Sequence, residues 1–247
     1  MPRFYFDKSE INGEYIRLCG ENARHISLSL RMAVGDKLTL CDKEGSDYAC
    51  TIEKIDRESV TAKINGTETS RSEPKFRATL FQCLAKGEKN DYIIQKSVEL
   101  GVSRIVLVES ERSIAKLTKD TTEKKLARWR KIAAESAGQC GRGIIPTVDV
   151  ISDYSEAAHL AAKSDLFLFC YEGGGTKPIK TSLENLVSGK IEKPSISFFI
   201  GPEGGFSEKE VLLAKECGAV ITGLGRRILR TETASLYVMS ALSYEFD

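Results

Sequence analysis

The sequence predicts an α/β protein, with a parallel sheet covered by helices in its larger, C-terminal part and a smaller β-rich domain before it. Three observations predict this. From Arg77 onward, strand-like runs alternate with helix-like ones. The strand-like runs "DLFLFCYE", "SISFFIG" and "AVITGLG" are nearly continuous in apolar residues, as strands covered on both faces are. Before Arg77, short strand-like runs are separated by turn residues at the spacing of a small barrel or sandwich.

In order along the chain, "GDKLTLCD", "YACTIEKI" and "VTAKING" are the first strands, divided by the turn signals "KEGS" and "DRES". The stretch "ENARHISLSLR", Glu21 to Arg31, is expected as one helix inserted among them. "GTETSRSEPK", Gly66 to Lys75, is polar, lacks an apolar period and carries Pro74, which marks a linker. The domains are accordingly drawn at 1–70 and 77–247, with 71–76 between them. "RATLFQCLA", the helical "EKNDYIIQKSVEL" closed by Gly101, and "RIVLVES" make a β-α-β unit. A helix from Thr121 to Ala137 follows, its Leu126, Trp129, Ile132 or Ala133, and Ala137 recurring at helical spacing.

Composition narrows the function. At 247 residues, 41% hydrophobic and 29% charged, the chain has the make-up of a globular protein and not of a disordered, collagenous or coiled-coil one. The first ten residues lack the apolar core of a signal peptide, and no apolar run is long enough to span a bilayer, so a cytoplasmic location without membrane contact is expected. Seven scattered cysteines with no C-x-x-C pair, and only His25 and His159, argue against a metal centre or a histidine-dependent triad. A formal net charge of +1 means that any nucleic-acid surface is local. The basic run Lys119 to Lys131 reads as the solvated face of a helix.

Three glycine-bearing loops follow strands of the larger domain, where ligands of open α/β sheets bind. The first, "YEGGGTK", Tyr171 to Lys177, does not meet the phosphate-loop pattern and reads as a flexible connection. The second, "IGPEGGFSEKEV", has glycines for close backbone approach, Pro202 to stiffen the turn, and Ser207 with Glu210 as a capping box that starts a helix at about Glu208. That explains every residue but Glu203. The third, "GLGRRILRTETASL", opens as a dinucleotide fingerprint but places Ile228 where the last glycine belongs, which disfavours a nicotinamide oxidoreductase. Thr231 is expected to cap the terminal helix, and Arg226, Arg227 and Arg230 call for an anion.

"FFIGPEGGFSEKE" followed by "LGRRILRTETASL" resembles the SPOUT superfamily of S-adenosylmethionine-dependent RNA methyltransferases, and within it the 16S ribosomal RNA uracil-N3 methyltransferase family. "MPRFYF", "HISLSLRMAVGDKLTLCD", "LAKGEKNDYIIQKSVELGV" and "AAESAGQCGRGIIPTV" extend the resemblance over the whole chain. Arg226 departs from it, standing where the family is expected to carry proline. The resemblance implies a deep trefoil knot in the parallel-sheet domain, a PUA-like RNA-binding barrel before it, and a homodimer, for which the apolar residues on several faces of "ASLYVMSALSYEF" also argue. It implies S-adenosyl-L-methionine as cofactor, held by backbone of Ile200, Gly201, Glu203 and Gly204 and of Leu224, Gly225, Ile228 and Leu229, with Leu168 and Phe169 as a wall. For removal of the uracil N3 proton, Arg230 is the expected stabiliser of the ring anion and Glu203 the candidate base; a mutual ion pair between them is the competing reading. Ribosomal RNA contacts are expected at Arg3, Arg24, Arg31, Lys86, Lys89 and Arg142. A non-catalytic ribosomal RNA-binding protein and another RNA methyltransferase of the same superfamily are the alternatives.

Overall fold

The computed structural model describes residues 2–189 and 191–247; Met1 and Lys190, and the side chains of Lys119, Asp120 and Asn185, lie outside the described residues. The chain divides into two compact units. The first holds the N-terminal residues through Glu73 together with Ala137–Ile145, and the second holds Pro74–Ser136 and Pro146–Asp247.

In the first unit, β1 (Arg3–Tyr5), β2 (Ile11–Asn12), β3 (Tyr15–Cys19), β4 (Lys37–Cys41), β5 (Ser46–Ile55) and β6 (Ser59–Thr69) form one sheet in the order β1-β4-β5-β6-β3-β2. All neighbours are antiparallel except β1 and β4. Alternation sets the faces: in β3, Ile16 and Leu18 are fully buried while Tyr15, Arg17 and Cys19 face out. The inward residues make a core with Leu38, Leu40, Ile52, Val60 and Ala62. Irregular register between β5 and β6 bends the sheet into a curled half-barrel. The helix expected over 21–31 is a short α1 (Gly20–Arg24) continued by a π-helical turn at His25–Ser29, and Arg31 at φ 51 ends it. Strand β6 runs four residues into the stretch read as linker.

Ala137–Ile145 returns to this unit through a buried ion pair. The Glu73 carboxylate accepts from the Arg142 guanidinium at 2.7 Å and from the backbone amides of Gly143 at 2.9 Å and Ile144 at 3.0 Å. The Tyr5 hydroxyl donates to the Arg142 carbonyl at 2.7 Å. A Cβ at Gly143 would stand 2.4 Å from Ser70 Cβ, so only glycine fits. Arg142 was expected to face RNA; with its side chain 4% exposed it is instead a structural partner, as a guanidinium at that depth must be. Arg3 is similarly committed, gripping Asp47 with both terminal nitrogens at 2.8 and 2.6 Å.

The second unit is a seven-stranded, wholly parallel sheet of β7 (Arg77–Cys83), β8 (Arg104–Val108), β9 (Thr147–Ile151), β10 (Leu166–Cys170), β11 (Lys177–Pro178), β12 (Ser195–Ile200) and β13 (Val220–Gly223). Its order, β11-β13-β10-β12-β7-β8-β9, inserts β12 between β7 and β10. The helices are α2 (Lys89–Glu99), α3 (Lys119–Gln139), α4 (Tyr154–Ala161), α5 (Ile179–Val187), α6 (Glu208–Glu216) and α7 (Thr231–Phe246). Phe81, Phe167, Phe169 and Phe199 pack with Ala157 and Ala161 of α4 and Val211 and Ala214 of α6, and Phe81 stacks on Phe199 at 4.8 Å between ring centres. Helices α2 and α7 pack together, with α7 against β7 and β12. This two-sided cover is why the strands read as unbroken apolar runs.

The chain leaves β13 and crosses the carboxyl ends of β12 and β7 to begin α7. There the Thr231 hydroxyl donates to the Gly201 carbonyl at 2.7 Å and accepts from Gln82 Nε2 at 2.9 Å. Thr231 was expected to cap α7; the cap position is Arg230, and Thr231, the first helical residue, spends its hydroxyl on fixing the crossing. Thr231→Val keeps the shape and leaves the Gly201 carbonyl and the Gln82 amide without this partner. Urea unfolding is expected to show a loss of about 1–3 kcal/mol.

Candidate active site at the carboxyl edge of the parallel sheet

A cleft of about 380 Å³ opens where the strand order turns back on itself. Cys170, Tyr171, Glu172 and Thr176 line it from the end of β10, Ile200 to Glu203 and Gly205 from the end of β12, and Gly223 to Arg230 from the end of β13. Lys89 closes the rim from α2. The glycines are matters of space. A Cβ at Gly205, which has φ +65, would meet the Glu172 carboxylate at 2.5 Å, and one at Gly223 would meet the Thr176 hydroxyl at 2.7 Å. Gly225 sits at φ +103, a conformation that L side chains rarely adopt.

The loop after β12 is fixed from behind. The Ser207 hydroxyl and Glu210 carboxylate form the expected capping box and α6 begins at Glu208. The other Glu210 oxygen accepts the Glu111 amide at 2.8 Å, which ties this loop to the one after β8. The Arg112 guanidinium also donates to the Gly204 carbonyl at 3.2 Å.

The charged groups are unevenly paired. The Glu203 carboxylate accepts from the Lys89 ammonium at 2.8 Å and from the Lys86 amide at 3.2 Å, and Lys89 lies 3.7 Å from Glu232. Burial pushes the Glu203 carboxyl up, but Lys89, the residue's own amide and that of Lys86 outweigh it and hold it below the ordinary carboxylate range. A lowered carboxyl of this kind adds stability above the ordinary range and loses it as pH falls through the lowered value. It is also a weak proton acceptor at neutral pH. Arg230 is exposed, and its guanidinium makes no hydrogen bond or ion pair among the described residues. Burial pushes the Cys170 thiol up to about 12, so it is an apolar wall and not a nucleophile.

Most of the residues expected in a cofactor pocket meet here: Ile200, Gly201, Glu203, Leu224, Gly225, Ile228 and Leu229 all line the cleft. Three do not. Leu168 and Phe169 are fully buried in the sheet, because the wall comes from the two residues after them, Cys170 and Tyr171. Gly204 packs on Arg112 while its neighbour Gly205 faces the cleft. The Glu203–Arg230 ion pair that was the competing reading is absent among the described residues, Lys89 having taken the carboxylate. Tyr171, Glu172 and Thr176 were not foreseen; the triple glycine after an apolar strand was their signal. Of the residues expected to meet RNA, Arg24, Arg31 and Lys86 are exposed and Lys89 is half-buried at the rim.

A family profile described as an RNA methyltransferase domain matches residues 71–243. The chain belongs to that RNA methyltransferase family. A second profile, an RNA methyltransferase PUA domain, matches residues 18–65, within the curled sheet of the first unit. This RNA methyltransferase is 32% identical to ribosomal RNA small subunit methyltransferase E of Bacillus subtilis, over 93% of its own chain and 90% of the relative's. It also superposes on ribosomal RNA small subunit methyltransferase E of Neisseria gonorrhoeae, solved with bound S-adenosyl methionine. The TM-score is 0.84 at 32% identity, covering 100% of this chain and 98% of the other. A putative methyltransferase of Legionella pneumophila, solved with the same cofactor, gives 0.82 at 30% identity over 98% and 96% of the two chains.

Proposed function

We propose that the cleft holds S-adenosyl-L-methionine and that the protein methylates N3 of a uridine in 16S ribosomal RNA, acting in the cytoplasm on the small ribosomal subunit. The observation that carries the reading is an unpaired Arg230 at the mouth of a cleft whose walls are glycine backbone. The fit to the cofactor rests on that cleft. Its volume lies within the range of small-molecule sites, the apolar Ile200, Leu224 and Leu229 line it, and the glycine backbone at Gly223 and Gly225 offers donors and acceptors for an adenine edge. When bound, the cofactor supplies an electrophilic methyl group on a sulfonium.

The chain's own residues prepare the nucleophile. N3 of uracil carries a proton at neutral pH, and bonding to a methyl group requires its loss. Arg230 donates to a uracil carbonyl and stabilises the ring anion, because a guanidinium presents two parallel donors to such an edge. Glu203, held by Lys89, braces the glycine loop and keeps Lys89 at the rim, and solvent takes the proton. Arg24 and Arg31 on the first unit and Lys86 on the second contact RNA phosphates.

Two further features belong to the proposal. Tyr237 and Tyr244 of α7 are exposed, the latter at 90%, while Val238, Met239 and Leu242 are buried within the subunit; the exposed tyrosines are the part of α7 left for a second copy in a homodimer. The crossing from β13 to α7 over the end of β12 is the segment that threads the knot. The test is mass spectrometry of nucleosides from 16S ribosomal RNA of cells with and without the gene, beside calorimetric titration with the cofactor. Loss of 3-methyluridine on deletion supports the reading. Unchanged nucleosides with no cofactor uptake leave a non-catalytic RNA-binding protein, and loss of a different methylated nucleoside leaves another target for the same cleft.

A further inference from the structure

Six charged side chains line the cleft: Lys89, Glu172, Glu203, Arg226, Arg227 and Arg230. The two carboxylates differ. Glu203 is taken by Lys89, whereas Glu172 makes no hydrogen bond or ion pair among the described residues. It is nevertheless placed closely: its Oε1 lies 2.5 Å from where a Cβ of Gly205 would stand, so glycine at φ +65 is what admits the carboxylate to the wall. The loop that carries it is packed as tightly, with the Tyr171 ring 2.2 Å from the Cβ position of Gly173 and Thr176 against Gly223.

This arrangement meets a problem set by the ligand's charge. S-adenosylmethionine at neutral pH carries a sulfonium, an α-ammonium and one carboxylate, a net charge of about +1, and with Glu203 committed the cleft presents a surplus of arginine. A cation entering such a site is favoured by an unpaired anion, since like charges at close range repel and Glu172, Arg226, Arg227 and Arg230 are all exposed around the cleft. We infer that Glu172 is the counter-ion of the cofactor, a binding residue that recognises its positive charge from the end of β10. The inference rests on the proposed function and adds a residue to it. It also gives the three-glycine loop a purpose: Gly173, Gly174 and Gly175 let the chain turn back so that Tyr171, Glu172 and Thr176 all face the cleft.

The experiment is calorimetric titration of the wild type, Glu172→Gln and Glu172→Asp with S-adenosylmethionine and with S-adenosylhomocysteine, beside thermal melts of each protein. S-adenosylhomocysteine keeps the α-ammonium and lacks the sulfonium, so the two ligands separate the two cations. Glu172→Gln is expected to weaken S-adenosylmethionine binding about tenfold or more, the scale for a hydrogen bond to a charged group, with Glu172→Asp recovering part of the loss. Equal weakening for both ligands assigns the α-ammonium, and weakening for S-adenosylmethionine alone assigns the sulfonium. Either result supports the inference. Binding by Glu172→Gln within twofold of wild type overturns it, as does a loss of affinity matched by a lowered melting temperature. Failure of the wild type to take up the cofactor would instead sink the proposed function, and this inference with it.

Discussion

Arg230→Ala is expected to slow methylation of small ribosomal subunits by on the order of a hundredfold or more while leaving cofactor affinity close to wild type, the scale for removing one donor that acts on charge developing in the transition state. The structure supports this separation of effects. The Arg230 side chain is exposed at the rim and holds nothing in place, so its removal disturbs neither the glycine walls nor α7, whose first turn is fixed by Thr231. Arg230→Lys should recover only part of the rate, because an ammonium is a point charge and cannot reproduce two parallel donors. Glu203→Gln provides the contrast. As a general base, Glu203 would cost about a hundredfold to ten-thousandfold when lost, whereas as a brace for Lys89 it should cost far less and leave the pH–rate profile unchanged in shape. Single-turnover methylation across pH, beside cofactor titration of each variant, reads both. A fall in cofactor affinity in proportion to rate for Arg230→Ala would make the residue structural.

The largest effect on stability is expected at Glu73. Glu73→Ala removes the carboxylate shared by the Arg142 guanidinium and the amides of Gly143 and Ile144, and leaves a cation in a site where its side chain is 4% exposed. Breaking a buried pair from one side costs about 3–5 kcal/mol, well above the worth of an exposed pair such as Arg71 with Glu68. Glu73→Gln keeps one oxygen acceptor and should lose less. Urea unfolding followed by circular dichroism measures both, and a loss below about 1 kcal/mol for Glu73→Ala would show that the pair is not what holds Ala137–Ile145 to the first unit.

The parts legible in the sequence were those written in local pattern. Phe198 and Phe199 sit side by side in β12 and face opposite ways, which only a sheet covered on both sides allows, so "SISFFIG" announced the parallel sheet directly. Ser207 and Glu210 stand three residues apart, so their capping box could be read without any tertiary knowledge. Two of the misreadings concern partners distant in sequence. Arg142 looks like any surface arginine until Glu73, 69 positions away, is brought to it. Glu203 meets Lys89 across 114 positions, which takes the carboxylate that the competing reading had given to Arg230. Leu168 and Phe169 were taken for a wall because the strand's end could not be fixed to within two residues. Tyr171, Glu172 and Thr176 were hidden by the glycines among them, since flexibility and close packing have the same composition until neighbours such as Gly205 and Gly223 are in place.

The return of Ala137–Ile145 to the N-terminal unit governs the order in which the molecule is made. A nascent chain leaves the ribosome from its N-terminus, and domains that are continuous in sequence generally fold as they emerge. Here the curled sheet is synthesised first, yet the strip that neutralises Glu73 and lays Arg142 beneath Tyr5 follows about 70 residues later, a delay of about 4–14 s at ordinary elongation rates. During that interval Glu73 is an unneutralised anion and Ser70 lacks the Gly143 backbone that packs against it. Strand β12 imposes a second wait, because β7 and β10 cannot close around the centre of their sheet until it arrives. Translation therefore sets the pace twice, and a fragment ending at the apparent boundary near Glu73 would be released without the residues that complete it.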